Sequence, residues 1–200
     1  NGAGYSIQEK EVIINKITEI EDLVRSNHNF KGKMPKIYLI NGELTDREMN
    51  DLYNHPDIKA MISFTNAEGY GLPLLEFSTT GKPILVSNYS GHLDFINSDY
   101  SVLLPGTLVN IDSSAANEFL PSIGTWYRVN EQFAKKIMVD LYENYDRYHE
   151  KSRKSVKFVK DRFTLSLMQS NLNKLLEKYV PTSTKPTEIS LKLPKLRRIE

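Results

Sequence analysis

Two carboxylates, Glu68 and Glu76, bracket the glycine-rich stretch Glu68-Gly69-Tyr70-Gly71-Leu72-Pro73-Leu74-Leu75-Glu76. Gly69 and Gly71 leave the main chain bare, so a ligand can come close to backbone N–H groups there. Pro73 suits the first position of a helix. A helix start leaves its first N–H donors without intrahelical partners. Those donors, at the positive end of the helix dipole, favour an anion such as phosphate. Carboxylates beside such an anion suit hydroxyl groups, as on a ribose or a sugar. A plain loop-to-helix turn would use the same residue types, and it is the wider order of elements that makes the stretch specific.

The elements around it can be read from pattern. Ala60 to Phe64 reads as a strand, Pro73 to Thr80 as a helix closed by Gly81 and Pro83, and Ile84 to Ser87 as the next strand. Glu68 then falls on a loop at the carboxyl end of a strand, and Glu76 in the first turn of the following helix. Upstream, Ile13, Ile17, Ile20 and Val24 predict a helix from Glu9 to Ser26. The continuous apolar run Ile37 to Ile40 predicts a parallel strand buried on both faces. Thr45 with Glu48 forms a capping box, with Leu44 and Met49 at staple positions, before a helix from Asp46 to Asn54. A short helix near His92 to Ile96 and a strand from Ser101 to Leu104 follow. Strand and helix alternate, which argues for an open parallel α/β sheet with ligand loops along its carboxyl edge.

Beyond that sheet, Pro105 to Arg128 reads as one long loop docked by Trp126 and Tyr127. Asn130 caps a long helix whose apolar face is Ala134, Ile137, Met138, Leu141 and Tyr145. A helical region from Ser152 to Val159 comes next. Thr164 caps a last helix with the stripe Met168, Leu172, Leu175 and Tyr179, ended by Pro181. The expected organisation is one domain over residues 1–180 and a poorly structured tail over 181–200.

Composition excludes several classes. The net charge of +1 points to neither a nucleic-acid binder nor an acidic tail protein. With 40% hydrophobic and 26% charged residues the chain reads as globular. It has no cysteine, so disulfides and thiolate metal sites are out, which fits a reducing, cytoplasmic setting. The histidines have no metal-ligand spacing, so no metal is expected. No apolar run is long enough for a transmembrane segment, while peripheral membrane contact stays open. Neither a nucleophile elbow nor a strand followed by Gly-x-Gly-x-x-Gly occurs. Gly2-Ala3-Gly4 reads either as the end of a phosphate loop or as a frayed terminus.

From Glu68 through Glu76 and on to Gly81-Lys82-Pro83-Ile84, the chain resembles retaining glycosyltransferases of the GT-B fold, and among them family 4. Gly91 and Leu93-Asp94-Phe95-Ile96 resemble that family's next glycine turn. The family often has two glycines where this chain has Ser90-Gly91, and a small Ala-rich helix where it has Phe77-Ser78-Thr79-Thr80. The resemblance runs best from Lys36 to Leu104 and more loosely to Tyr179.

It implies the C-terminal half of a GT-B enzyme: a Rossmann-like open parallel sheet with helices on both faces that binds a nucleotide-diphosphate sugar. Glu68 would be the catalytic-site carboxylate holding sugar hydroxyls. Gly69, Tyr70, Gly71 and Leu72 would meet sugar and diphosphate, and Glu76 the ribose. The backbone near Glu43 and Leu44 would pair with the nucleobase, although a strand-to-helix turn explains those two equally. The only cofactor-like molecule implied is the donor itself. A carbohydrate or lipid-linked acceptor would sit on a missing upstream domain, so this piece alone would be inactive in carbohydrate biosynthesis. Alternatives are a GT-B sugar-nucleotide epimerase or phosphorylase relative, and a non-catalytic Rossmann-like binding module.

Overall fold

The computed structural model describes residues 7–27, 30–115, 121 and 123–180. Gly2 to Gly4 and the tail from residue 181 lie outside the described residues. The chain divides into two units, Asn1–His55 and Pro56–Glu200.

The first unit holds α1 (Ile7–Ser26) and α2 (Asp46–Asn54). The α2 capping box forms as expected. The Thr45 N–H donates to Glu48 Oε2 at 2.8 Å, and the Glu48 N–H donates to Thr45 Oγ1 at 3.3 Å. The expected strand at Ile37 to Ile40 does not form: the run is irregular, with Tyr38 80% and Ile40 59% exposed. A continuous apolar run becomes a strand only where neighbouring strands take its N–H and C=O groups and both faces are covered. Among the described residues no strand pairs with it.

The second unit is built on a three-stranded parallel sheet in the order β1 (Met61–Ser63), β2 (Ile84–Ser87), β3 (Val102–Leu104). Ile62 pairs with Leu85 and Val86 with Leu103, so all carboxyl ends lie on one edge. All four residues of β2 are buried, as its unbroken Ile-Leu-Val pattern requires of a central parallel strand. Between β1 and β2 lies α3 (Leu72–Ser78), which buries Leu74 and Phe77. Its exit is tied down from the C-terminal helices. Ser155 Oγ donates to the Ser78 carbonyl at 2.8 Å, and Ser152 Oγ to that of Gly81 at 2.6 Å. The expected helix after β2 is a single 3-10 turn, Gly91–Asp94.

The segment expected as one long loop contains a hairpin instead. Strand β4 (Gly106–Asn110) pairs antiparallel with β5 (Thr125–Val129), from Gly106 opposite Val129 to Asn110 opposite Thr125. Both runs are rich in β-branched and aromatic residues, a strand signal that the surrounding Pro, Gly and Ser obscured. Tyr127 does dock on the core, its hydroxyl donating to the Leu104 carbonyl at 3.2 Å. Tyr127 and Val129 join Leu85, Leu104, Ala134 and Leu141 in the central cluster.

Helix α4 (Glu131–Glu143) starts where Asn130 Oδ1 accepts from the Phe133 N–H at 2.9 Å. Tyr145 begins a separate helix, α5 (Tyr145–Ser152), followed by α6 (Lys154–Arg162). Thr164 caps α7 (Leu165–Tyr179), whose stripe Met168, Leu172, Leu175 and Tyr179 is exposed.

Tyr100 gives the fold a pH dependence. It is buried, and its hydroxyl donates to the Phe95 carbonyl. Burial first, and then the Asp99 carboxylate, push the phenol up from 10.0 to about 12. The folded state keeps this proton after the unfolded chain releases it. The stabilisation is therefore whole below about pH 10 and declines as pH rises from there through the folded value. Denaturant melts from pH 8 to pH 11 should show stability falling above about pH 10. Tyr100→Phe should make that fall shallower.

Candidate functional site

The segment after β1 and the segment after β2 meet backbone to backbone at the carboxyl edge. Ser90 Oγ accepts the Glu68 N–H at 2.6 Å and lies 3.1 Å from the Glu68 carbonyl, to which it donates. The Gly91 N–H donates to the same carbonyl at 3.0 Å. Contact is so close that a Cβ on Gly91 would lie 2.1 Å from the Gly69 oxygen and 2.9 Å from that of Glu68. Such distances forbid any side chain at Gly91 unless the candidate turn moves. Ser90 sits at φ 81°, ψ −159°, a region that glycine occupies and other residues avoid.

From this anchorage the turn runs along the surface. Glu68 is half-buried and Gly69 exposed. Tyr70 packs its ring 5.1 Å from the buried Phe95 while 36% of it stays exposed. Gly71, at φ 87°, is the left-handed residue that precedes α3, and its carbonyl takes the N–H groups of Leu74 and Leu75. The N–H groups of Gly69, Tyr70 and Gly71 have no hydrogen-bond acceptor among the described residues. Leu72 is 60% exposed.

The helix starts at Leu72, so Pro73 is its second residue and Glu76 its fifth. Glu76 therefore lies just past the first turn, whereas the sequence pattern set it within that turn because it began the helix at Pro73, and it is exposed. The structure gathers Glu68, Gly69, Tyr70, Gly71, Leu72 and Glu76 on this one surface segment of the second unit. Glu43, exposed, and Leu44, half-buried, belong to the first unit.

His92 is fully buried beneath the turn, and its Nε2 donates to the Ser87 carbonyl at 2.7 Å. It braces the post-β2 segment from inside. At the far end of α3, burial and then neighbouring Lys59 pull the Lys82 ammonium below its ordinary pKa.

The sequence reading passed over a second feature. A cavity of about 480 Å³ opens at the carboxyl end of β1, lined by Phe64, Asn66, Arg128, Lys135 and Met138 among others. The Tyr127 N–H donates to the Asn66 carbonyl at 3.0 Å, which fixes the hairpin to the strand-to-turn segment. Arg128 was legible only as an exposed charge in an alternating run, and finding that run required the hairpin.

No protein-family model matches the chain, and no curated protein matches it. Among solved structures, the fold is similar to that of Anabaena HepE (Alr3699), solved in complex with UDP and glucose. The TM-score is 0.53 at 12% identity, over 86% of this chain and 38% of that one. The likeness is one of fold, an α/β Rossmann-like parallel sheet, and the chain spans 38% of the length of that protein.

The two glycines that face each other have opposite demands. A Cβ on Gly69 would meet nothing within 4 Å, while one on Gly91 would strike backbone. Gly91→Ala should cost about 1–3 kcal/mol as an overpacked site. Gly69→Ala should stay within about 0.5 kcal/mol of wild type, as a surface substitution does. Urea unfolding of the two variants measures both.

Proposed function

We propose that this chain is the donor-binding part of a retaining, family 4-like glycosyltransferase, and that it holds a nucleotide-diphosphate sugar at the Glu68 to Glu76 turn. The observation that carries the reading is Gly69. Neither packing nor backbone angle requires glycine there, since a Cβ would point into open space and φ lies outside the left-handed region. A bare backbone beside a carboxylate, with N–H groups that lack acceptors among the described residues, suits a ligand that comes close to the main chain. The fold neighbour solved with UDP and glucose supports the same ligand class.

In this reading Glu68 accepts hydrogen bonds from sugar hydroxyls and orients the ring. Glu76, about one turn into α3, accepts from the ribose. The N–H groups of Gly69 to Leu72 face sugar and diphosphate. When the sugar–phosphate bond breaks, the leaving diphosphate gains negative charge, and donors already fixed in place stabilise it without reorganising. These donors would take the part that a divalent cation plays in other phosphate sites. The acceptor, a carbohydrate or a lipid-linked sugar, would sit on a domain outside this chain.

The division of labour between the carboxylates gives the test. Glu76→Ala should weaken UDP and UDP-glucose alike, because both carry the ribose. Glu68→Ala should weaken UDP-glucose and leave UDP nearly unchanged. Each lost hydrogen bond to a charged group is worth roughly 1.5–3 kcal/mol, or about 10- to 150-fold in Kd. Titration calorimetry with both ligands reads the split. If both variants stay folded and bind both ligands like the wild type, the assignment fails.

A further inference from the structure

We propose that Ser90 is a positioning residue for Glu68: its hydroxyl fixes the main chain from which the Glu68 carboxylate is presented to the donor sugar. The proposal rests on the donor-site reading above for its functional half and on geometry alone for its structural half. One hydroxyl spans both polar groups of a single residue, 22 positions away. It accepts the Glu68 N–H at 2.6 Å and donates to the Glu68 carbonyl at 3.1 Å. No other acceptor among the described residues takes that N–H, so Ser90 sets the orientation of the peptide plane entering Glu68. On the far side of the residue, Gly91 holds the carbonyl at 3.0 Å and presses against Gly69.

The backbone of Ser90 shows that this contact has a cost. Ser90 is the one non-glycine residue with positive φ among those described. At φ 81°, ψ −159° a Cβ is strained, and glycine would relieve it. Glycine would also remove the hydroxyl. A serine at a backbone position made for glycine is explained if the hydroxyl does something that fold stability alone does not need. Holding Glu68 is what the hydrogen bonds assign to it.

Stability and positioning can therefore be separated by two substitutions. Ser90→Ala removes the hydroxyl and keeps the strain. Ser90→Gly removes the hydroxyl and releases it. Two readouts are needed on the 200-residue chain. The first is hydrogen exchange of the Glu68 amide, followed by NMR without ligand. The second is calorimetry with UDP and with UDP-glucose, and a thermal melt accompanies each variant.

Ser90→Gly should melt above Ser90→Ala, yet both should speed exchange of the Glu68 amide by about 3- to 10-fold, the worth of one neutral hydrogen bond. Both should weaken UDP-glucose by a similar factor while changing UDP by less than about 2-fold. Ser90→Thr, which keeps a hydroxyl, should hold Glu68 exchange closer to the wild type. The proposal is overturned if Glu68 exchange is unchanged in both variants. It is equally overturned if UDP-glucose affinity simply follows the melting temperature, with Ser90→Gly at or above the wild type. If the wild-type chain binds neither UDP nor UDP-glucose, the donor-site reading fails and the functional half of this proposal with it. The exchange measurement then still decides whether Ser90 holds Glu68.

Discussion

The contact between the post-β1 and post-β2 segments is the constraint on which the candidate site depends. Parallel strands leave their connections at the same edge, so two neighbouring connections must either splay apart or share space. Here they share it. Gly91 lies against the Gly69 carbonyl at a distance no side chain permits, and hydrogen bonds from Ser90 and Gly91 converge on Glu68. The turn is thus a surface feature with a rigid back. Its front carries Glu68, the bare Gly69 and the rim of Tyr70.

The rest of the second unit supports that contact from below. The fully buried β2 delivers Ser90 and Gly91 to the edge, and His92 plugs the space under them by bonding back to Ser87. Phe95 receives the ring of Tyr70, and Phe163 packs in turn on Phe95 with centroids 5.9 Å apart. Helix α3 is held at both ends: Gly71 turns the chain into it, and Ser152 and Ser155 hold the carbonyls at its exit. Ser155 thus anchors the exit of α3 through the Ser78 carbonyl, at the end of the helix away from the turn.

Much of this was legible in the sequence because the signals were local. The Ile84 to Ser87 run, the Thr45–Glu48 capping box and the Asn130 and Thr164 caps each depend on residues within one turn or strand, and each element formed where its pattern put it. The failures were non-local. The Ile37 to Ile40 run has the composition of a buried strand, but burial needs partners that composition cannot supply. The β4–β5 hairpin was hidden because its register is set across a connection longer than a simple turn. The Ser90–Glu68 hydrogen bonds were invisible for the same reason: the partners lie 22 residues apart, and only the resemblance, with two glycines where this chain has Ser90-Gly91, marked the position.

These misses and hits sort the candidate residues by the kind of constraint each obeys. Gly71 and Gly91 are fixed by the fold, one by its left-handed backbone and the other by the space it lacks. Glu68 has its backbone held and its carboxylate left to other uses. Gly69 has room for a side chain among the described residues, so packing does not explain its identity. A residue whose identity the fold does not explain, lying between residues whose positions the fold holds tightly, is where a ligand has the most to say about the sequence. That juxtaposition, more than the spacing of the two glutamates, is the physical argument for a donor molecule lying over this turn.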